Sequence, residues 1–238
     1  MRLVDIDGLE RLRLTTLTVL GRHPGVFNRV AAFGDSSQTL VSSGTDLCVE
    51  APPRSANSFF VVGFRAANPD AQIAHHHHVP AQVLTAIRLR VPLVTILRNP
   101  LDSALAKAAP MNKEFLIGTT LHRFLAFWET LSPVLAQASP VLFEQVVADP
   151  RGIIDRINEK FGREFSRNFP STEEVFTSIS TSRRASSSGD AGASPSPNVP
   201  NPWIAERENV LRPLAEKHPL ALPALDLYGR LKKEIARL

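Results

Sequence analysis

Asp46-Leu47-Cys48-Val49-Glu50-Ala51-Pro52-Pro53-Arg54-Ser55-Ala56-Asn57-Ser58-Phe59 decides how the chain is read. An apolar, β-branched run stops at a proline pair. A stretch of small and polar residues follows, and then a helical pattern from about Asn57 to Ala67. That order predicts a strand, a tight loop and a helix. Small residues in the loop let the backbone approach an anion closely, and the helix N-terminus presents unpaired N–H groups to it.

The same order recurs downstream. Ala71-Gln72-Ile73-Ala74 opens a second strand, which runs into His75-His76-His77-His78-Val79-Pro80, and a helix is expected from Pro80 to Arg88. Pro92 to Leu97 is nearly all apolar or β-branched, as parallel strands covered on both faces are. Arg98-Asn99-Pro100 ends it, and Leu101 to Ala108 reads as a helix. Residues 114 to 132 carry Ile117, Leu121, Phe124, Leu125, Trp128 and Leu131 at helical spacing, with Trp128 in the core. Pro140 to Phe143 is a further strand, and Asp149-Pro150 caps a helix that ends before Gly162. Strands alternating with helices predict an α/β domain with a mainly parallel sheet.

Around this core, residues 1 to 45 read as an N-terminal helical segment interrupted near Pro24-Gly25. Residues 46 to 165 hold the alternating strands and helices of the α/β core. Residues 177 to 202 hold eight Ser, four Pro and two Gly, the composition of a flexible loop. Residues 203 to 238 close the chain as amphipathic helices. All of it is read as one domain over 1-238.

The net charge of +4 over 238 residues excludes a polybasic architecture. Between Ala51 and Lys107 stand six basic and two acidic residues, so the whole excess lies in this segment. Nucleic acid is not an expected partner, because no Lys/Arg stripe with interleaved aromatics occurs. Cys48 is the only cysteine, so no intrachain disulfide forms. The opening residues lack a signal-peptide pattern, and no apolar run nears the roughly 20 residues of a membrane helix. These features set the expectation of a cytoplasmic protein with no membrane span. No Walker A sequence is present, which disfavours a nucleoside triphosphatase.

Three motifs fall in order at strand ends: Pro53-Arg54-Ser55-Ala56-Asn57-Ser58-Phe59, His78-Val79-Pro80 and Leu97-Arg98-Asn99-Pro100-Leu101-Asp102. Together they resemble the sulfotransferases that use 3′-phosphoadenosine 5′-phosphosulfate (PAPS). The resemblance spans residues 46 to 165. It implies a three-layer α/β/α fold, P-loop NTPase-like, with C-terminal helices. It also implies transfer of a sulfuryl group to a hydroxyl acceptor, a carbohydrate or other small alcohol by analogy, with PAPS as co-substrate and no metal. His78 would be the general base, with His76 and His77 as substitutes. Arg54 would stabilise the leaving group, and Ser55, Ala56, Asn57, Ser58 and Phe59 would cradle the 5′-phosphate. Arg98 would bind the 3′-phosphate.

The departures are specific. Ala56 stands where the family has glycine, and Ala106 where it has the second 3′-phosphate ligand, a serine. Ser103 is the nearest substitute, one turn away. Two uses of Arg98 stay open here: phosphate binding, and an ion pair with Asp102 four residues on. Two uses of Arg183 and Arg184 stay open as well: standing in for the family's C-terminal phosphate motif, and lying in a solvated linker. Two other functions share these features. One is a non-catalytic nucleotide-binding protein of the same fold. The other is a kinase-like phosphotransferase using ATP and Mg, against which the absent Walker lysine argues.

Overall fold

The computed structural model describes residues 6–33, 39–186 and 201–238, with the backbone alone at 6 and 182–186. In chain order the elements are α1 (Ile6–Leu20), α2 (Pro24–Ala31), β1 (Leu47–Glu50), α3 (Asn57–Ala67), β2 (Ile73–His75), α4 (Pro80–Leu89) and β3 (Leu93–Leu97). They continue as α5 (Pro100–Ala108), α6 (Phe115–Leu131), β4 (Pro140–Leu142), α7 (Phe143–Ala148), α8 (Pro150–Phe161), α9 (Thr172–Ser186), α10 (Pro202–Glu216) and α11 (Ala221–Ile235).

The four strands form one parallel sheet in the order β2-β1-β3-β4. Successive side chains on a strand point to opposite faces, and the core splits accordingly. Leu47 and Val49 of β1, with Val94 and Ile96 of β3, pack with α3, α8 and α9. Cys48, Leu93 and Leu97 pack on the other side with α4, α5, α6, α10 and α11. Helices therefore cover both faces, which explains why β1 and β3 are buried along their whole length. Among the described residues, no helix is long and apolar enough to cross a membrane.

Local chemistry places the helices that matter. Asn99 caps α5, its Oδ1 accepting from the N–H groups of Leu101 (2.9 Å) and Asp102 (3.4 Å), with Pro100 at the first helical position. Asp149 caps α8 through the Gly152 N–H, and Gly162 ends that helix in the left-handed region at φ 60°. Gly63 is needed for packing, because a Cβ there would lie 2.1 Å from the ring of Phe169.

Two segments depart from the sequence expectation. The flexible loop expected over 177–202 is helical up to Ser186, because α9 begins at Thr172 and continues into it. The Ser and Thr content is accommodated by back-bonding: Ser180 donates to the Phe176 carbonyl and Thr181 to the Thr177 carbonyl. Phe176 meets Phe59 of α3 at 5.7 Å between ring centroids, and Ile179 is buried. Residues 187–200 of that stretch lie outside the described residues. Phe143, read as the end of a strand, instead opens α7.

Candidate functional site

Strand order fixes where a ligand pocket can open. From β1 the chain steps to β2 on one side, then crosses back to β3 on the other, so the carboxyl ends of β1 and β3 diverge. Open parallel sheets bind ligands at such a switch point. A cavity of about 690 Å³ lies there. The loop after β1, from Pro53 through Phe59, forms one wall, and His76, His78 and Arg98 join it. Ala106 and Lys107 of α5, Phe143 and Val147 of α7, Phe176 and Ile179 of α9, Asn201 at the N-cap of α10, and Ile204, Ala205 and Glu208 of α10 complete it.

The loop has an unusual backbone. Arg54 and Ala56 both adopt φ 67°, a left-handed conformation that side-chain-bearing residues avoid. Arg98 holds the first of these, its guanidinium donating to the Arg54 carbonyl at 2.5 Å. Ala56 is the N-cap of α3, and the first bond of that helix runs from the Phe60 N–H to the Ala56 carbonyl at 3.0 Å. The N–H groups ahead of it have no intrahelical partner and form an anion-seeking end. The side-chain amide of Asn57 is buried with no partner for its Oδ1.

Arg98 stacks on Phe143, with its guanidinium carbon 4.3 Å from the ring centroid, and its buried Nε has no partner. Asp102 pairs with Arg212 at 3.5 Å, so the alternative use of Arg98 as its ion-pair partner is not what the structure adopts. Three cations, Arg54, Arg98 and Lys107, thus line the cavity against one carboxylate, Glu208, whose pKa is raised chiefly by burial.

The four histidines diverge. His75 meets Arg65 at 3.2 Å and also contacts His76, while His76 reaches Ser58 at 3.0 Å. His77 turns away to Thr39 (3.0 Å) and sits edge-on to Phe27. His78 is half-buried and lines the cavity. Its Nδ1 lies 2.8 Å from the Ala51 carbonyl. A carbonyl only accepts, so Nδ1 carries the proton and Nε2 keeps its lone pair. The longer contact from Asn57 Nδ2 to the same nitrogen, 3.4 Å, is then not a hydrogen bond. Burial first, and the charge of Arg123 second, hold the His78 pKa well below the ordinary imidazole value, so the ring is a neutral base at neutral pH.

Arg54, Ser55, Ala56, Asn57, Ser58, Phe59, His78 and Arg98 are thereby brought to one cavity. Ser103 is 1% exposed and is not part of the wall, although Ala106 and Lys107 of the same helix are. Arg183 and Arg184 fall in the last turn of α9, and their side chains lie outside the described residues. Sequence reasoning missed Lys107, Glu208 and the aromatic wall of Phe143 and Phe176. It also missed Glu50, fully buried at the end of β1, and Arg123 on α6. A carboxylate inside the apolar run Leu47-Cys48-Val49-Glu50 was the available signal for Glu50, since buried carboxylates are rare without partners.

Compared with protein-family models, with curated proteins and with solved structures, the chain matches none of them.

Proposed function

We propose that the protein is a PAPS-dependent sulfotransferase of P-loop-like type, moving a sulfuryl group to a hydroxyl acceptor by in-line transfer. One observation carries the reading: a neutral histidine with Nε2 unprotonated shares a cavity with an arginine-backed helix N-terminus. The residues fit a phosphate-rich nucleotide. They supply three cations, a set of helix N–H groups without intrahelical partners, and the buried Nε–H of Arg98, which has no acceptor.

In this reading Nε2 of His78 takes the acceptor proton as the acceptor oxygen bonds to sulfur and the sulfur–phosphate oxygen bond breaks. Charge then develops on the leaving phosphate, where Arg54 and the N–H groups of Asn57 to Phe59 stabilise it. Arg98 holds the second phosphate, and Lys107, beside Ala106, supplies a cation on a helix that lacks the family's serine. Little covalent work falls to the protein, as in phosphoryl transfer.

The test is an acceptor screen with labelled sulfuryl donor, comparing the parent with His78→Ala. The parent is expected to transfer label, and the variant to lose about 100-fold or more in rate while still binding nucleotide. Equal rates would remove His78 as the base. Nucleotide binding with no transfer to any hydroxyl acceptor would favour the non-catalytic reading.

A further inference from the structure

We propose that Glu50 and Arg123 form a clamp on the backbone of His78, and that Glu50 is the positioning residue for the base. The inference rests on the sulfotransferase reading for its kinetic consequence, but its geometry stands independently. His76 and His78 adopt φ 67° and 56°, both left-handed, so the segment after β2 cannot continue as a strand. Its N–H groups need another acceptor. A single carboxylate provides it. Glu50 Oε1 accepts from the His77 N–H at 2.9 Å, and Oε2 accepts from the His78 N–H at 2.7 Å.

Arg123 of α6 closes the other side, donating to the His78 carbonyl at 3.3 Å. The ring nitrogen Nδ1 goes to the Ala51 carbonyl, one residue beyond Glu50. Every polar group of His78 except Nε2 is thereby fixed, and two of the three anchoring residues, Glu50 and Ala51, are adjacent at the end of β1. The histidine's orientation and tautomer follow from β1, the strand that also leads into the loop carrying Arg54. Base and phosphate loop are thus referenced to the same strand end. Burying a carboxylate and a guanidinium is costly: burial raises the Glu50 pKa to about 8, while the two N–H groups and the Arg123 charge oppose that shift. An apolar pair would avoid this cost but would leave two backbone N–H groups and a carbonyl without partners.

Glu50→Gln keeps the volume but turns one oxygen into an NH₂ that faces an N–H donor. The readouts are nucleotide affinity by calorimetry, turnover, and the ¹⁵N shifts of the His78 imidazole. The expected result is nucleotide affinity within about threefold of the parent, turnover lower by about 10- to 100-fold, and imidazole shifts that no longer report a single Nδ1–H tautomer. Unchanged imidazole shifts and turnover in a folded variant would overturn the proposal. So would a parallel loss of nucleotide binding, which marks a merely structural residue. If Glu50→Gln does not fold, Arg123→Gln decides on the same readouts, with the same outcomes for and against. The imidazole shifts need no acceptor, so they test the clamp even if no sulfuryl transfer occurs.

Discussion

Ala56 occupies a conformation that glycine would adopt more cheaply, and the consequence is measurable. Its φ of 67° and ψ of 15° lie in the left-handed region. For an L-residue this costs roughly 1–2 kcal/mol through the clash of Cβ with the following carbonyl. Ala56→Gly removes that clash but gives the unfolded chain about 0.5–1 kcal/mol of extra conformational entropy. The balance is a gain of about 0.5–1 kcal/mol. In a chain of 238 residues, that raises Tm by about 1–4 °C. It also raises the urea midpoint with the slope unchanged. The mirror substitution is Gly162→Ala, where φ is 60° at the end of α8. It is expected to lose about 1 kcal/mol in the same assay. Destabilisation by Ala56→Gly of more than about 1 kcal/mol would refute the left-handed loop. The geometry of the N–H groups at the start of α3 would fall with it.

Other outcomes follow from single contacts. Arg98 both donates to the Arg54 carbonyl and stacks on Phe143. A lysine cannot do both, so Arg98→Lys should weaken nucleotide binding about 10-fold and Arg98→Ala about 100-fold by calorimetry; values within threefold of the parent would remove Arg98 from the site. Gly63→Ala drives a methyl into Phe169 and should cost about 1–3 kcal/mol in urea denaturation. An unchanged midpoint would contradict that packing. Burial lowers the folded-state pKa of His78, and that of His75 to about 3. Their contribution to stability is therefore present above the unfolded imidazole value of about 6.5 and is lost as pH falls below it. For the same reason the acid limb of kcat/KM should lie below pH 6.5, and an imidazole titration of His78 centred at or above 6.5 would show that the ring is not desolvated.

The alternation of strands and helices was legible because period and punctuation agreed. Asn57 to Ala67 was expected as a helix and is one, and Asn99-Pro100 and Asp149-Pro150 cap and open helices as such pairs do. The clustering of the loop after β1, His78 and Arg98 was also readable, since each motif ends a parallel strand and such ends gather on one edge of the sheet. Less was readable where tertiary contacts outweigh local composition. The Ser-rich start of 177–202 is helical because Phe176 and Ile179 find a hydrophobic partner in α3, which composition alone does not reveal. Ser103 lies on the expected helix but not on the cavity wall, a matter of depth that spacing cannot supply. Glu50 and Arg123 act through backbone groups 27 to 45 positions away in the chain, and no local pattern encodes that pairing.

A bisphosphorylated adenosine is the ligand proposed for this cavity. Calorimetry with 3′-phosphoadenosine 5′-phosphate, in the presence of a chelator and against ATP with Mg²⁺, tests it most directly. Saturable heat is expected with the bisphosphate without added metal, and that heat should be lost in Arg98→Ala. Clear binding of ATP with Mg²⁺ and no heat with the bisphosphate would contradict it.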